Sequence, residues 1–478
     1  MNLLSASSPS HEPARYGVSG QPWTLLAAIA VTCLGLSTLL ALAPYLIGGG
    51  VAVAVAVFII CFVSTEASLY LLVLSMLLSP EIGMGALADP SDTTGGRGVT
   101  IRTEDLLLVV MCFAWLVRTA VHKDLGLVRA TPLNQPIAAY MVACVFATGM
   151  GLIIGHVEGV TGAFYVPKYL EYFVVYFIVA NNLQDRAQIK RLTIVMLVTA
   201  FIVSIVAIAQ IPAGVTRVSA PFEGEQGEPN TLGGYLLLTG TVAAGLLLSV
   251  RERLTRMLLT TLLMFMIVPF LLTLSRGSYL ALPFAYLGLT VLKRSNRFGM
   301  IAAFVVLVAI GTLAAPQSVK DRILYTVNQG ATGHHRVQVG NVRLDSSTSA
   351  RLQSWEEAIT DWAASPIWGY GITGYIFLDA QYPKVLAETG LVGAITFAAL
   401  ILAIYRQAYA LYRRTEDELY SGLAIGLLAG LTGLLIHAVG ANTFIIVRIM
   451  EPFWLLAGLV VSAAKLEPEP EEAVSVAA

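Results

Sequence analysis

The sequence predicts an all-α polytopic membrane helix bundle of about 12–14 transmembrane helices, with one large extracytoplasmic loop that carries an amphipathic helix. Three observations predict it. The 478 residues are 56% hydrophobic and only 12% charged, with a mean hydropathy of +0.75. Apolar runs of membrane-spanning length recur along the chain. Basic residues gather in alternate loops. A net charge of −1 offers nothing to nucleic acid.

The apolar runs lie at 24–43, 49–64, 67–80, 104–120, 135–155, 165–181, 190–211, 231–249, 256–274, 277–293, 298–314, 386–407, 420–438 and 444–464. A bilayer core needs about 20 apolar residues per helix. The second and third runs are short enough to tilt, re-enter or merge, so the reading spans twelve to fourteen helices. Residues 1–20, with Pro9, Pro13 and several serines, read as a disordered cytoplasmic tail rather than a cleaved leader. Residues 21–464 form one transmembrane domain, and 465–478, with the acidic run after Lys465, a second disordered tail. Cys33, Cys61, Cys112 and Cys144 all fall in apolar runs, which argues against a disulfide framework or a metal cluster.

Orientation comes from charge. Five short loops carry three basic residues each: Arg118, Lys123 and Arg129; Arg186, Lys190 and Arg191; Arg251, Arg253 and Arg256; Lys293, Arg294 and Arg297; Arg406, Arg413 and Arg414. All five fall on one side of the span list. The positive-inside rule makes that side cytoplasmic and puts the long 315–385 loop outside.

That loop is the longest polar interval. Thr348 to Ser365 reads as an amphipathic helix, with Leu352, Trp355, Ile359 and Trp362 on one face and Glu356, Glu357 and Asp361 away from it. Pro366 ends the helix, and Gly369 and Gly371 permit a tight turn. The helix either floats its tryptophans at the headgroups or closes as a lid over a site between the spans.

Four arginines stand on the outer side, against the charge rule: Arg217, Arg276, Arg351 and Arg448. Ionisable groups at membrane depth usually line a cavity or meet a partner. Arg448 is three residues from Glu451 and would pair with it or line such a cavity. Guanidinium is a planar fork suited to phosphate, so a membrane-embedded diphosphate is a natural ligand. No nucleotide-sugar domain or phosphate-cradling glycine loop is visible. Glu223, Glu225 and Glu228 read as a solvated acidic turn rather than a metal site, and no metal or other cofactor is expected.

The order Arg217, Asn230 after Pro229, Ser275-Arg276-Gly277, Arg351…Trp355…Pro366…Gly369…Gly371 and Glu388-Thr389-Gly390-Leu391 resembles the O-antigen ligase and O-antigen polymerase family, over about residues 210–410. The resemblance implies a glycosyltransferase of the bacterial inner membrane with its active site on the extracytoplasmic face. It implies a glycan donor carried on undecaprenyl diphosphate, membrane lipid around it, and assembly partners such as a flippase or chain-length regulator. It implies no nucleotide sugar and no metal. On this basis Arg217 and Arg276 are expected to clamp the diphosphate. Arg351 would draw in the lid or read the glycan, and Trp355 and Trp362 would stack on sugar or pack on the membrane face. Asn230 and Ser275 border the bound substrate and hold local backbone. Tyr382, Lys384, Glu388 and Arg448 complete the candidate substrate-binding set.

The chain departs from the ligases at one position. They carry a histidine nine residues before the Glu-Thr-Gly glutamate, where this chain has Asp379, in Asp379-Ala-Gln-Tyr382 with Lys384 just behind. Asp379 either serves as the general base or pairs with Lys384. His156, His334, His335 and His437 are the histidines on the outer side. The resulting expectation is a polymerase joining lipid-linked glycans. The alternatives are a ligase with a lipid A core or other acceptor, and a small-anion transporter. No internal repeat supports transport.

Overall fold

The computed structural model describes residues 45–79, 81–83, 100–122, 130–222, 227–293, 297–314, 317, 319–321, 338–339, 342–343 and 346–467. The run at 24–43, residues 1–20 and 468–478, Glu223, Glu225, His334 and His335 lie outside the described residues, while Lys465 and Leu466, expected in the second tail, end the last helix. The chain divides after Ile59. Of the first unit, the described part is the start of helix α1 (Tyr45–Val63).

The second unit is a helix bundle. Its elements are α2 (Thr65–Leu78), strands β1 (Glu81–Gly83) and β2 (Thr100–Arg102), α3 (Thr103–His122), α4 (Asn134–Ile154), α5 (Gly159–Asn182), α6 (Arg186–Ala209), α7 (Pro229–Ser249), α8 (Arg253–Leu272), α9 (Arg276–Leu292) and α10 (Arg297–Ala314). Strands β3 (Gln338–Val339) and β4 (Val342–Arg343), α11 (Ser346–Trp362), α12 (Gln381–Arg414), α13 (Glu418–His437) and α14 (Val447–Leu466) follow. The strands form two short antiparallel ladders, β1 with β2 and β3 with β4. Eight of the described helices, α4 to α8 and α12 to α14, are long and apolar enough to cross a membrane. The apolar runs read from 49 onward each coincide with a described helix.

Helix starts follow local chemistry. The Ser64 hydroxyl accepts from the Ala67 amide, Asp185 from Gln188, and Asp417 from Leu419 and Tyr420. Pro229 opens α7 at a position where its missing N–H costs nothing. Each cap satisfies amides that a helix start leaves without partners.

The centre of the bundle is α7, α13 and α14, the most buried of the spanning helices, whereas α8 lies at the rim. Small residues set the α7–α13 contact. A Cβ on Gly245 would fall 2.4 Å from the Gly422 carbonyl, and one on Gly426 would fall 2.7 Å from Val242 Cα. Lipid offers no hydrophobic drive between helices, so close backbone approach supplies the packing. Aromatic edges join α5 to α14, with Phe173 and Trp454 centroids 4.7 Å apart.

The helix bounds in the long loop differ from the expected ones. The amphipathic helix runs from Ser346 to Trp362, earlier than the expected 348–365. Small residues, not its apolar stripe, are the ones that α11 buries. Ser349 and Ala358 are buried, while Leu352 and Ile359 are 41% and 49% exposed. Ala358 packs with Leu378 and Ala387, so the small residues let α11 approach the start of α12 closely. The next helix begins at Gln381, five residues before the apolar run, because its first turns are a separate half-helix. Gly390, at φ 62° and ψ −163°, divides that half from the spanning half.

Candidate active site

The motif segments meet at one end of the bundle, around the last turn of α13. The Tyr382 hydroxyl donates to the Leu435 carbonyl at 2.5 Å, and the Gln381 amide donates to Ala438 O at 3.1 Å. Between those carbonyls lies His437, fully buried, with Nδ1 2.7 Å from Thr443 Oγ1. The imidazole packs on two glycines from other helices. A Cβ at Gly234 of α7 would stand 3.4 Å from its Cε1, and one at Gly277 of α9 would stand 3.8 Å from its Nε2.

Gly277 belongs to the Ser275-Arg276-Gly277 turn. Ser275 caps α9, accepting from the Ser278 amide and hydroxyl, and its own hydroxyl donates to Asn230 Oδ1 at 2.9 Å. Asn230 and Ser275 thus tie the start of α7 to the start of α9. Arg217 Nε donates to the Thr273 carbonyl at 3.1 Å, while the Val218 amide donates to Leu272 O at 3.1 Å. Arg217 and Arg276 therefore bracket one short turn at the positive end of a helix. Both guanidiniums belong to partly exposed residues. Such a helix start with two added cations favours an anion.

The second group sits on α11 and the segment before α12. Arg351 Nη2 forms an ion pair with Asp379 Oδ2 at 2.8 Å, the two side chains being 29% and 42% exposed. The Trp355 and Tyr382 rings meet edge-on, with centroids 6.3 Å apart. Asp361, also on α11, accepts from the Tyr375 hydroxyl at 2.6 Å. Burial first, and then this carboxylate, raise the Tyr375 phenol above its ordinary value of 10.0. Asp379 does not pair with Lys384. The half-helix places Lys384 one turn before Glu388, and those two join at 2.8 Å, both nearly buried.

Glu388 anchors the loop that follows α11. Besides Lys384 it accepts from the Thr373 amide at 3.2 Å and the Tyr169 hydroxyl at 3.4 Å. The backbone completes the attachment. Tyr370 N and Gly371 N donate to Ala387 O and Glu388 O at 2.9 and 2.8 Å, and Leu391 N and Val392 N donate back to Pro366 O and Ile367 O. The Pro366–Gly371 loop is thereby stapled across the break at Gly390. Gly369 and Gly371 adopt φ of 67° and 90°, the left-handed region that the turn required.

Arg448 stands apart from this surface. It is fully buried, and its fork donates to the carbonyls of Pro221, Phe222 and Ser79. Of the two alternatives for Arg448, the pairing with Glu451 is not made by a hydrogen bond. Neither carboxyl oxygen of Glu451 has a hydrogen-bond partner among the described residues. The Pro221–Phe222 turn, with Phe222 at φ 60°, instead offers its carbonyls to the guanidinium.

The structure thus brings Arg217, Asn230, Ser275 and Arg276 to one turn, and Arg351, Trp355, Asp379 and Tyr382 to another, both against the end of α13. Lys384 and Glu388 are buried on the first half of α12, where Glu388 meets Thr373 and, on α5, Tyr169, and Arg448 lies in the interior. The sequence reading left His437 among several outer-side histidines. Its signal was position: a histidine closing an apolar helix, followed by Gly440-Ala-Asn-Thr443.

Residues 259–398 match the family model described as O-antigen ligase. The matched stretch holds the Ser275-Arg276-Gly277 turn, α11, Asp379 and the Glu388 staple, whereas Arg217, Asn230, His437 and Arg448 lie beyond it. The motif resemblance is met there, and it supports a glycan-transferring enzyme in a multi-pass membrane bundle. No curated protein matches the chain.

Proposed function

We propose that the chain polymerises a surface polysaccharide at the extracytoplasmic face of a bacterial inner membrane, moving a glycan from undecaprenyl diphosphate onto a lipid-linked repeat unit. One observation carries the reading. Arg217 and Arg276 bracket the Thr273–Arg276 turn at the start of α9, a cationic site at one end of the bundle.

The chemistry follows from that placement. An acceptor hydroxyl oxygen attacks the anomeric carbon of the donor glycan. The new C–O bond forms as the sugar–phosphate C–O bond breaks, and the diphosphate leaves with the electron pair. Negative charge grows on the departing oxygen, and two preorganised guanidiniums beside a helix start stabilise it without reorganising. The hydroxyl proton goes to Asp379, the accessible carboxylate at the edge of α11. Arg351 holds that carboxylate, and Trp355 and Tyr382 offer ring faces or edges to sugar.

Transfer to a lipid A core or another acceptor is the second reading, favoured by the family description over 259–398. Gene deletion followed by gel analysis of the surface polysaccharide separates them. Single-repeat product supports the polymerase, whereas accumulation of long lipid-linked chains assigns the ligase reading. An unchanged pattern would overturn both.

A further inference from the structure

At the other end of α9 lies a cavity of about 480 Å³, between α9, α12 and α13. Val291 is fifteen residues beyond Arg276, about 22 Å along the helix. Phe284, Leu287 and Val291 of α9, Tyr405 and Arg406 of α12 and Thr432 of α13 line it. The walls are almost wholly apolar, and the Tyr405 and Thr432 hydroxyls satisfy each other. Phe284, Leu287 and Val291 are 41%, 56% and 56% exposed, so the cavity is open at the outer surface of the bundle.

Cations accompany the cavity. Arg406 lines it, Arg297 Nη2 donates to the Val291 carbonyl at 3.0 Å, and Lys293 caps α9. The Tyr412 hydroxyl donates to Leu292 O, which holds α12 against this end of α9. Among the described residues no carboxylate pairs with Arg406, Arg297 or Lys293. An apolar trough of ligand-sized volume lined by Arg406 and near Arg297 and Lys293, three cations that pair with no carboxylate among the described residues, complements one kind of molecule. It needs a hydrocarbon chain joined to an anionic headgroup.

We propose that this groove is a binding site for an anionic phospholipid. An acyl chain lies along Phe284, Leu287 and Val291, and the phosphate sits at Arg406 within reach of Arg297 and Lys293. The bound lipid fills the contact between α9, α12 and α13 at the end of α9 opposite Arg276. The inference stands on the groove and its cations and is independent of the reaction assigned above.

The test uses the full chain purified in a neutral detergent, with lipid retention read by native mass spectrometry. Phosphatidylglycerol, phosphatidylcholine and a polyprenyl phosphate are the probes. Phosphatidylglycerol should be retained at least about fivefold more tightly than phosphatidylcholine, the effect of about one basic residue near an anionic headgroup. Arg406→Gln, at an exposed position, should erase that preference, and Arg406→Lys should keep it. Leu287→Trp, which fills the trough, should weaken both phospholipids together. Equal retention of the two phospholipids, or a preference that survives Arg406→Gln, would overturn the proposal. So would stronger retention of the polyprenyl phosphate with loss in Leu287→Trp, which would give the groove to an isoprenoid chain instead.

Discussion

Arg351 Nη2 lies 2.8 Å from Asp379 Oδ2, an ion pair that fastens α11 to the segment leading into α12. Partly exposed pairs of this kind contribute about 0–1 kcal/mol to stability, so fold maintenance is a weak reason for the pair. It also fixes where the Asp379 carboxylate points.

The first prediction tests Asp379 as the general base. A positioned base contributes about 10²–10⁴-fold. Purified Asp379→Asn should bind the lipid-linked donor and transfer glycan at least about a hundredfold more slowly. Arg351→Gln should cost less, because it frees the carboxylate's orientation but keeps the base itself. If each single variant and the double variant lose the same amount, the pair acts only through the position of α11. The base role would then be abandoned in favour of His437.

The second concerns the cationic turn. Arg217→Lys and Arg276→Lys keep charge and lose the bidentate fork. Removal of a preorganised donor costs about 10²–10³-fold in rate. Each variant should lose transfer on that scale with normal amounts in the membrane. Near-normal turnover in both would leave the arginines as interfacial anchors.

Gly390 gives a stability prediction. A Cβ there would fall 2.3 Å from the Ile367 carbonyl at a φ of 62°. Gly390→Ala should cost at least about 1–3 kcal/mol from backbone strain alone and release the Pro366–Gly371 loop. Gly149→Ala on α4, where a Cβ meets nothing within 4 Å, should leave the unfolding temperature unchanged. Equal unfolding temperatures for the two variants would contradict the staple.

Topology is testable on described loops. In a background with Cys33, Cys61, Cys112 and Cys144 replaced, a cysteine at Ser365 should react with an impermeant reagent from outside. One at Glu416, between α12 and α13, should react only after the membrane is opened. The reverse pattern would move the candidate site to the cytoplasmic face.

Asp417 supplies a pH dependence. Partial burial opposes its ionisation, but the Arg186 guanidinium and the amides of Tyr420 and Leu419 outweigh it. The carboxyl is therefore held below the usual aspartate value of 3.8. A depressed folded value means the contribution is fully present above about 3.8 and is lost as pH falls through the lower folded value. Asp417→Ala should cost about 1 kcal/mol at neutral pH, as a lost N-cap does. Unfolding curves for the two proteins should converge only below pH 3.8. A gap that stays constant into that acid range would rule out the charged cap.

The helices and their order were legible in the sequence. In a bilayer every backbone group must be satisfied within its own segment, so apolar length and local caps such as Asp185 and Asp417 decide each span by themselves. The turn at Gly369 and Gly371 was legible for the same reason, since its conformation is a property of those residues. Tertiary structure decided which side chains meet. Periodicity placed Leu352 and Ile359 on one face of α11, and the contact with Leu378 and Ala387 decided that Ala358 is the residue buried. Proximity in sequence suggested Lys384 for Asp379 and Glu451 for Arg448. The half-helix before Gly390 gave Lys384 to Glu388, and a turn 227 residues away supplied the Pro221 carbonyl to Arg448. His437 became the meeting point of α7, α9 and α12 only when helix rotation turned Gly234 and Gly277 toward its ring. Rotation and depth depend on small-residue contacts such as Gly245 on Gly422, which join segments far apart in the chain and leave no periodic trace within either.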